Sequence, residues 1–199
     1  MPRLQFWFEL ASNYSYLAAM RIEGMARDAN VEVEWRPFLL GPIFKAQGWS
    51  TSPFNLYPAK GCNMRRDMER ICAARGLPFV MPATFPAASL LANRITCVGQ
   101  ADGWAEPFAK AAFTAEFGHG ADIADPAVLS GILSGLGIDA AQALTSAGEP
   151  AAQDRLKHNT EEAMRLGIYG APSFITDDGE LFWGDDRLEQ VIAWAALRR

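Results

Sequence analysis

Ser12 stands where an apolar segment, LQFWFEL, gives way to helix-forming residues, in the run Ala11-Ser12-Asn13-Tyr14-Ser15. In an open α/β sheet, ligands bind beyond the carboxyl ends of strands, and the first turn of a following helix favours negative charge. A hydroxyl at that point can donate a hydrogen bond to an anion, with neighbouring backbone N–H groups assisting. Serine is also a common N-cap, so position alone leaves a capping role and a chemical role both open. A second candidate is Gly170-Ala171-Pro172-Ser173-Phe174. A proline directly before a strand cannot donate to the sheet and often marks a cis peptide; the pattern leaves cis and trans equally open. Cis geometry would turn the Ala171 N–H and C=O outward, where an extended peptide can pair with them. Other reactive side chains are sparse. Cys62, Cys72 and Cys97 form no Cys-x-x-Cys pair, and His119 and His158 have no companions at metal-ligand spacing, so the spacing argues against a zinc site.

The elements that must position these residues follow from pattern. Residues 4–10 have the aromatic content and length of a buried strand, and residues 31–38 alternate apolar and polar with period two. Between them, residues 16–30 read as a helix with Leu17, Met20, Ile22 and Met25 inward and Asn30 as its stop. Strand, helix, strand makes a βαβ unit, with parallel strands and a right-handed crossover. The stretch 39–61 is dense in Gly, Pro and Ser and reads as loop plus a short helix. Helices are expected near 61–75, 86–101, 103–118, 125–136, 139–147 and 149–166. The tail then offers strand residues over 168–176 and 180–183, joined by an Asp178-Gly179 turn, and a helix over 186–197. The reading is an α/β fold in which residues 1–60 and 149–199 form one domain and 61–148 a helical insertion.

Composition narrows the function classes. A chain of 199 residues, half of them hydrophobic and 21% charged, can bury a sizeable core within about one domain. A net charge of −5 without a Lys/Arg stripe argues against a nucleic-acid or anionic-membrane surface. The N-terminal apolar stretch is interrupted by Gln5 and Glu9 and reads as a strand rather than a leader, and no uncharged run approaches the roughly 18–20 residues that span a bilayer. The odd cysteine count points to a reducing cytoplasm.

The order of motifs is distinctive. A strand, then Ser12-Asn13-Tyr14-Ser15-Tyr16-Leu17-Ala18 at a helix start, a helical middle, Gly170-Ala171-Pro172-Ser173-Phe174 and Trp183-Gly184-Asp185-Asp186-Arg187-Leu188 resemble the 2-hydroxychromene-2-carboxylate isomerase family. That family sits with the kappa-class glutathione transferases in the DsbA-like branch of the thioredoxin fold, and the resemblance covers essentially the whole chain. It implies a thioredoxin-like fold with a helical insertion, glutathione as cofactor and a homodimer. It implies that Ser12 is catalytic, that Pro172 is the cis-proline, and that Ala171 pairs through its backbone with the cysteinyl part of glutathione. Asp186, with Asp185 assisting, would hold the γ-glutamyl ammonium, and Lys60 would meet a terminal carboxylate. Ser12 and Ser15 replace the two cysteines of redox relatives, which excludes disulfide exchange there.

The chain departs from the family pattern Asp-Phe-x-Ser-Pro-Tyr-Ser at Glu9 and Asn13, and in having Ile71 after Asp67-x-x-Arg70 and Trp49 near the glycyl end. The implied activity interconverts 2-hydroxychromene-2-carboxylate and trans-o-hydroxybenzylidenepyruvate, as in naphthalene-type aromatic catabolism. A kappa-like transferase that consumes glutathione, and a non-enzymatic peptide-binding module built on the Pro172 loop, are the rival readings. Trp7, Phe44, Trp49, Tyr57 and Phe85 are candidate walls for an aromatic substrate, with core packing as the alternative for each.

Overall fold

Alternation of side chains builds the first strand. In the computed structural model, which describes residues 1–197, Arg3–Phe8 forms β1. Leu4, Phe6 and Phe8 pack into one cluster and Trp7 into another, and all four are fully buried, as a central strand covered on both faces requires. β1 pairs in parallel with β2 (Glu32–Pro37) and antiparallel with β3 (Ser173–Thr176). β3 in turn pairs antiparallel with β4 (Leu181–Trp183), so the sheet order is β2-β1-β3-β4. The parallel βαβ unit and the Asp178-Gly179 hairpin are both present, and β1 against β3 joins them. The end of the expected C-terminal domain segment, Arg198 and Arg199, lies outside the described residues.

The helix expected over 16–30 is two helices, α1 (Asn13–Ala19) and α2 (Ile22–Asp28), interrupted at Met20-Arg21. The break turns Arg21 toward the C-terminal segment, where it meets Asp185 and Glu189. Asn30 ends the unit at φ +57°, a conformation asparagine tolerates better than most residues. Two short helices, α3 (Leu40–Ala46) and α4 (Pro53–Leu56), occupy the stretch in which one was expected. The helical middle comprises α5 (Pro58–Arg75), α6 (Leu90–Asp102), α7 (Ala105–Phe113), α8 (Pro126–Gly135) and α9 (Ala140–Gly148). α7 continues into a π-helical turn, Thr114–Gly118. Proline opens α5, α8 and α10 (Pro150–Arg165), where its missing N–H costs nothing, and Asp125 and Asp139 cap α8 and α9. A 3-10 turn, Asp185–Arg187, leads into α11 (Leu188–Leu197).

One apolar cluster runs from the sheet into the helical middle. Phe6, Phe8 and Phe174 meet Leu17 of α1, Val191 of α11, and Phe108, Phe113, Phe117 and Leu133 beyond. Phe6 stacks on Phe8 and on Phe174 at ring separations of 5.1 and 5.5 Å. Each such ring contributes on the order of 2–3 kcal/mol by leaving water. The other face of the sheet, Trp7 with Ile175, is closed by Ile43 of α3 and Ala163 of α10. No helix among the described residues is long and apolar enough to cross a membrane.

Candidate active site

A cleft of about 1040 Å³ opens at the carboxyl end of β1. Its lining includes Ser12, Lys60, Ala171, Pro172, Asp185 and Asp186, so the fold gathers all six residues singled out in the sequence. The volume is at the upper end of the roughly 300–1,000 Å³ usual for small-molecule sites.

Ser12 is the N-cap of α1, with extended backbone, and is 8% exposed. Its Oγ accepts from the Ser15 N–H at 3.2 Å and donates to the Ala171 carbonyl at 3.1 Å. Capping and the second contact therefore coexist in one hydroxyl. The Ala171-Pro172 peptide is cis, as is Phe85-Pro86 across the cleft. Gly170 is required beside this loop, because a Cβ there would run into the indole nitrogen of Trp183.

The charged residues divide sharply. Asp185 is 4% exposed, and both its oxygens are taken: Arg21 Nε lies 3.0 Å from Oδ1, and Arg75 reaches Oδ1 at 3.1 Å and Oδ2 at 2.8 Å. That geometry makes Asp185 the anchor of the C-terminal segment, while Oδ2, with Arg75 as its donor, keeps a lone pair at the cleft lining. Asp186 differs, with a side chain 77% exposed at the lip. Its Oδ1 folds over Gly184, which takes φ +104° and has no Cβ to obstruct it. Lys60 is exposed on α5, its ammonium 4.7 Å from the Tyr57 ring centre. Tyr14 donates to Asp67 at 3.0 Å, and Arg70 closes on the same carboxylate at 3.2 Å. Burial first, then the hydrogen bond to Asp67 and its charge, push the Tyr14 phenol up, so it stays protonated as a donor.

The rest of the lining is largely apolar. Phe44, Trp49 and Phe85 line the cleft as expected for wall residues, joined by Phe54, Pro86 and Leu90. Trp7 and Tyr57 do not: Trp7 faces the α3–α10 side of the sheet, and Tyr57 stands outside under Lys60. No cysteine contributes to the lining. Burial pushes the Cys72 thiol up to about 11 and the Cys97 thiol up to about 12, which keeps both protonated and inert.

Glu9, noted in the sequence as a departure from the family pattern, gains a specific place in the structure. It lies one residue beyond β1, 5% exposed, and its carboxylate faces the cleft wall. Burial pushes its carboxyl up, against donors that favour the charge: Ser89 Oγ at 2.5 Å, the Leu40 N–H at 3.0 Å, Asn93 Nδ2 at 2.6 Å and the Ala11 backbone. The sequence signals were an acid following an otherwise apolar strand and its place at the aspartate of the family pattern.

Comparison with known proteins agrees with this geometry. The family described as the DSBA-like thioredoxin domain matches residues 3–193. The chain is 30% identical, over 94% of both chains, to a 2-hydroxychromene-2-carboxylate isomerase of Sphingobium xenophagum. It is 27% identical to glutathione S-transferase kappa 1 of Homo sapiens, over 95% of this chain and 89% of that one. Among solved structures, a selenomethionine 2-hydroxychromene-2-carboxylate isomerase superposes with a TM-score of 0.85 at 25% identity, covering 96% of this chain and 93% of its own. The chain thus belongs to the DSBA-like thioredoxin family and, within it, to the group of isomerase enzymes represented by 2-hydroxychromene-2-carboxylate isomerase.

Proposed function

We propose that this enzyme is a glutathione-dependent isomerase that interconverts 2-hydroxychromene-2-carboxylate and trans-o-hydroxybenzylidenepyruvate. The observation that carries the reading is the Ser12 hydroxyl bonded to the Ala171 carbonyl on the wall of a largely apolar cleft to which no protein thiol contributes. The residues present fit glutathione. Asp186, whose carboxylate lies 4.0 Å from the exposed Arg187 guanidinium, offers an accessible acceptor to an ammonium, Lys60 a cation to a carboxylate, and the Ala171 backbone an acceptor to an amide. Bound glutathione supplies an ionisable sulfur that adds to, and later leaves, a carbon conjugated with a pyruvate-type carbonyl, which frees the former double bond to rotate.

The chain's own part is to favour the ionised sulfur and to exclude water. The Ala171 carbonyl has a second lone pair for a peptide N–H, and the Ser12 hydroxyl rotates to give its proton to the charged sulfur, the stronger acceptor, while the Ser15 N–H continues to hold Oγ in place. A hydrogen bond to a charged group is worth about 1.5–3 kcal/mol, comparable to one or two units of thiol pKa at about 1.4 kcal/mol each. Phe44, Trp49 and Phe85 supply a flat apolar wall for the aromatic ring. The reading places the protein in the cytoplasm, where glutathione is abundant and unpaired cysteines such as Cys62 persist. Homodimerisation rests on the family resemblance alone.

Ser12→Ala tests the reading. It is expected to fold, losing about 1 kcal/mol of capping, and to lose at least about tenfold in turnover; unchanged turnover makes Ser12 a cap only. Asp186→Ala is expected to weaken glutathione binding at least about fivefold, read by calorimetry, and an unaltered isotherm rejects its role. Titrating glutathione below the substrate concentration distinguishes the transferase alternative, which the human relative favours: an isomerase turns over many substrates per glutathione, a transferase at most one.

A further inference from the structure

The cleft has two walls that belong to different parts of the chain. One is the start of α3, beginning at Leu40; the other is the entry to α6, with Ser89 and Leu90 in the lining and Asn93 buried behind them. A helix start leaves N–H groups without partners inside the helix, and an anion placed there satisfies them. The Glu9 carboxylate does this at α3 and takes side-chain donors from the α6 side. Oε2 accepts the Leu40 N–H, the first amide of α3, and Oε1 accepts Ser89 Oγ and Asn93 Nδ2 from the α6 side. The same residue's carbonyl accepts the Ser12 N–H at 2.9 Å. Ser89 is 7% exposed and Asn93 fully buried, so this bridge is shielded from competing water.

We propose that Glu9 is a positioning residue that sets the spacing between the α3 and α6 walls, and thereby the width of the aromatic acceptor the cleft takes. The reach of the side chain matters because each carboxylate oxygen serves a different wall. An aspartate would be one methylene short, so it would either release one wall or draw the two together. A glutamine would bring one acceptor oxygen and one NH2 to face donors on both sides, so one wall must lose its partner.

The proposal rests on the glutathione reading, and the probes are chosen to separate the two. Calorimetry with glutathione, S-benzylglutathione and S-(naphthylmethyl)glutathione measures the tripeptide half and the acceptor half independently of turnover. In the wild-type protein both conjugates are expected to bind more tightly than glutathione. Glu9→Gln and Glu9→Asp are expected to keep glutathione affinity within about twofold while changing the naphthylmethyl-to-benzyl affinity ratio at least about fivefold. Ser89→Ala, which removes one α6 donor and leaves Glu9 in place, shifts the ratio in the same direction as Glu9→Gln, and it carries the test if the Glu9 variants fail to fold. Loss of thermal stability with the ratio unchanged overturns the proposal and leaves Glu9 a structural bridge. Failure of the wild-type protein to bind glutathione at all sinks the functional reading instead.

Discussion

Glu116→Gln raises the thermal unfolding midpoint near pH 8 and leaves it unchanged near pH 4. Glu116 sits in the π-helical turn after α7, fully buried, with neither carboxylate oxygen partnered among the described residues. Burial pushes its carboxyl up from 4.5 to about 9, and the charges of Glu9 and Asp122 add to the shift. The folded state therefore holds a proton that the unfolded chain releases. A group raised in this way contributes full stability below its unfolded value of 4.5 and loses it progressively as pH rises toward about 9. The loss is about 1.4 kcal/mol per pH unit, on the order of 3–5 kcal/mol by pH 8. Glutamine has the shape of the protonated acid and does not titrate, so the variant keeps the packing and sheds the penalty. Glu9 is present in both proteins, so the difference between their pH profiles reports Glu116 together with its coupling to Glu9. Parallel profiles for the two proteins would show that Glu116 is ionised in the folded state.

Asp185→Ala is expected to destabilise the protein by about 2–4 kcal/mol, because it leaves Arg21 and Arg75 facing one another across a nearly buried site. For a chain of this size that lowers the unfolding midpoint by roughly 5–10 °C. Glu189→Ala is the control. Glu189 pairs with the same Arg21, but its side chain is 62% exposed, so its loss should cost no more than about 1 kcal/mol. Equal losses for the two variants would refute the anchoring role. Because Asp185 precedes Asp186 at the lip, Asp185→Ala should also weaken glutathione binding indirectly, which no loss of direct contact from Asp185 is needed to explain.

What was legible in the sequence was local. Ser12 at a strand-to-helix corner, Pro172 before a strand and the Asp-Gly hairpin are signals spanning a few residues, and each sits where its pattern put it. The proline helix starts and the aspartate caps belong to the same class. What escaped depends on partners far along the chain. The anchoring role of Asp185 depends on Arg21 and Arg75, 164 and 110 positions away, which nothing beside it in the sequence indicates. Glu9 gains its meaning from Ser89 and Asn93, 80 and 84 positions away. The break at Met20-Arg21 reflects that same remote charge cluster, since the helix propensities of the segment run straight through it. Trp7 was the recoverable error: period-two alternation with Phe6 and Phe8 already places it on the opposite face of the strand from its neighbours.

The burial of Cys72 and Cys97, with Cys62 outside the cleft lining, reaches beyond folding. On the proposed glutathione-dependent reading, the catalyst borrows its sulfur and has no essential thiol of its own for peroxide to capture. Oxidative stress would then halt such an enzyme by draining the diffusible thiol pool, and the activity would return as soon as that pool is reduced again, without repair or resynthesis of the polypeptide.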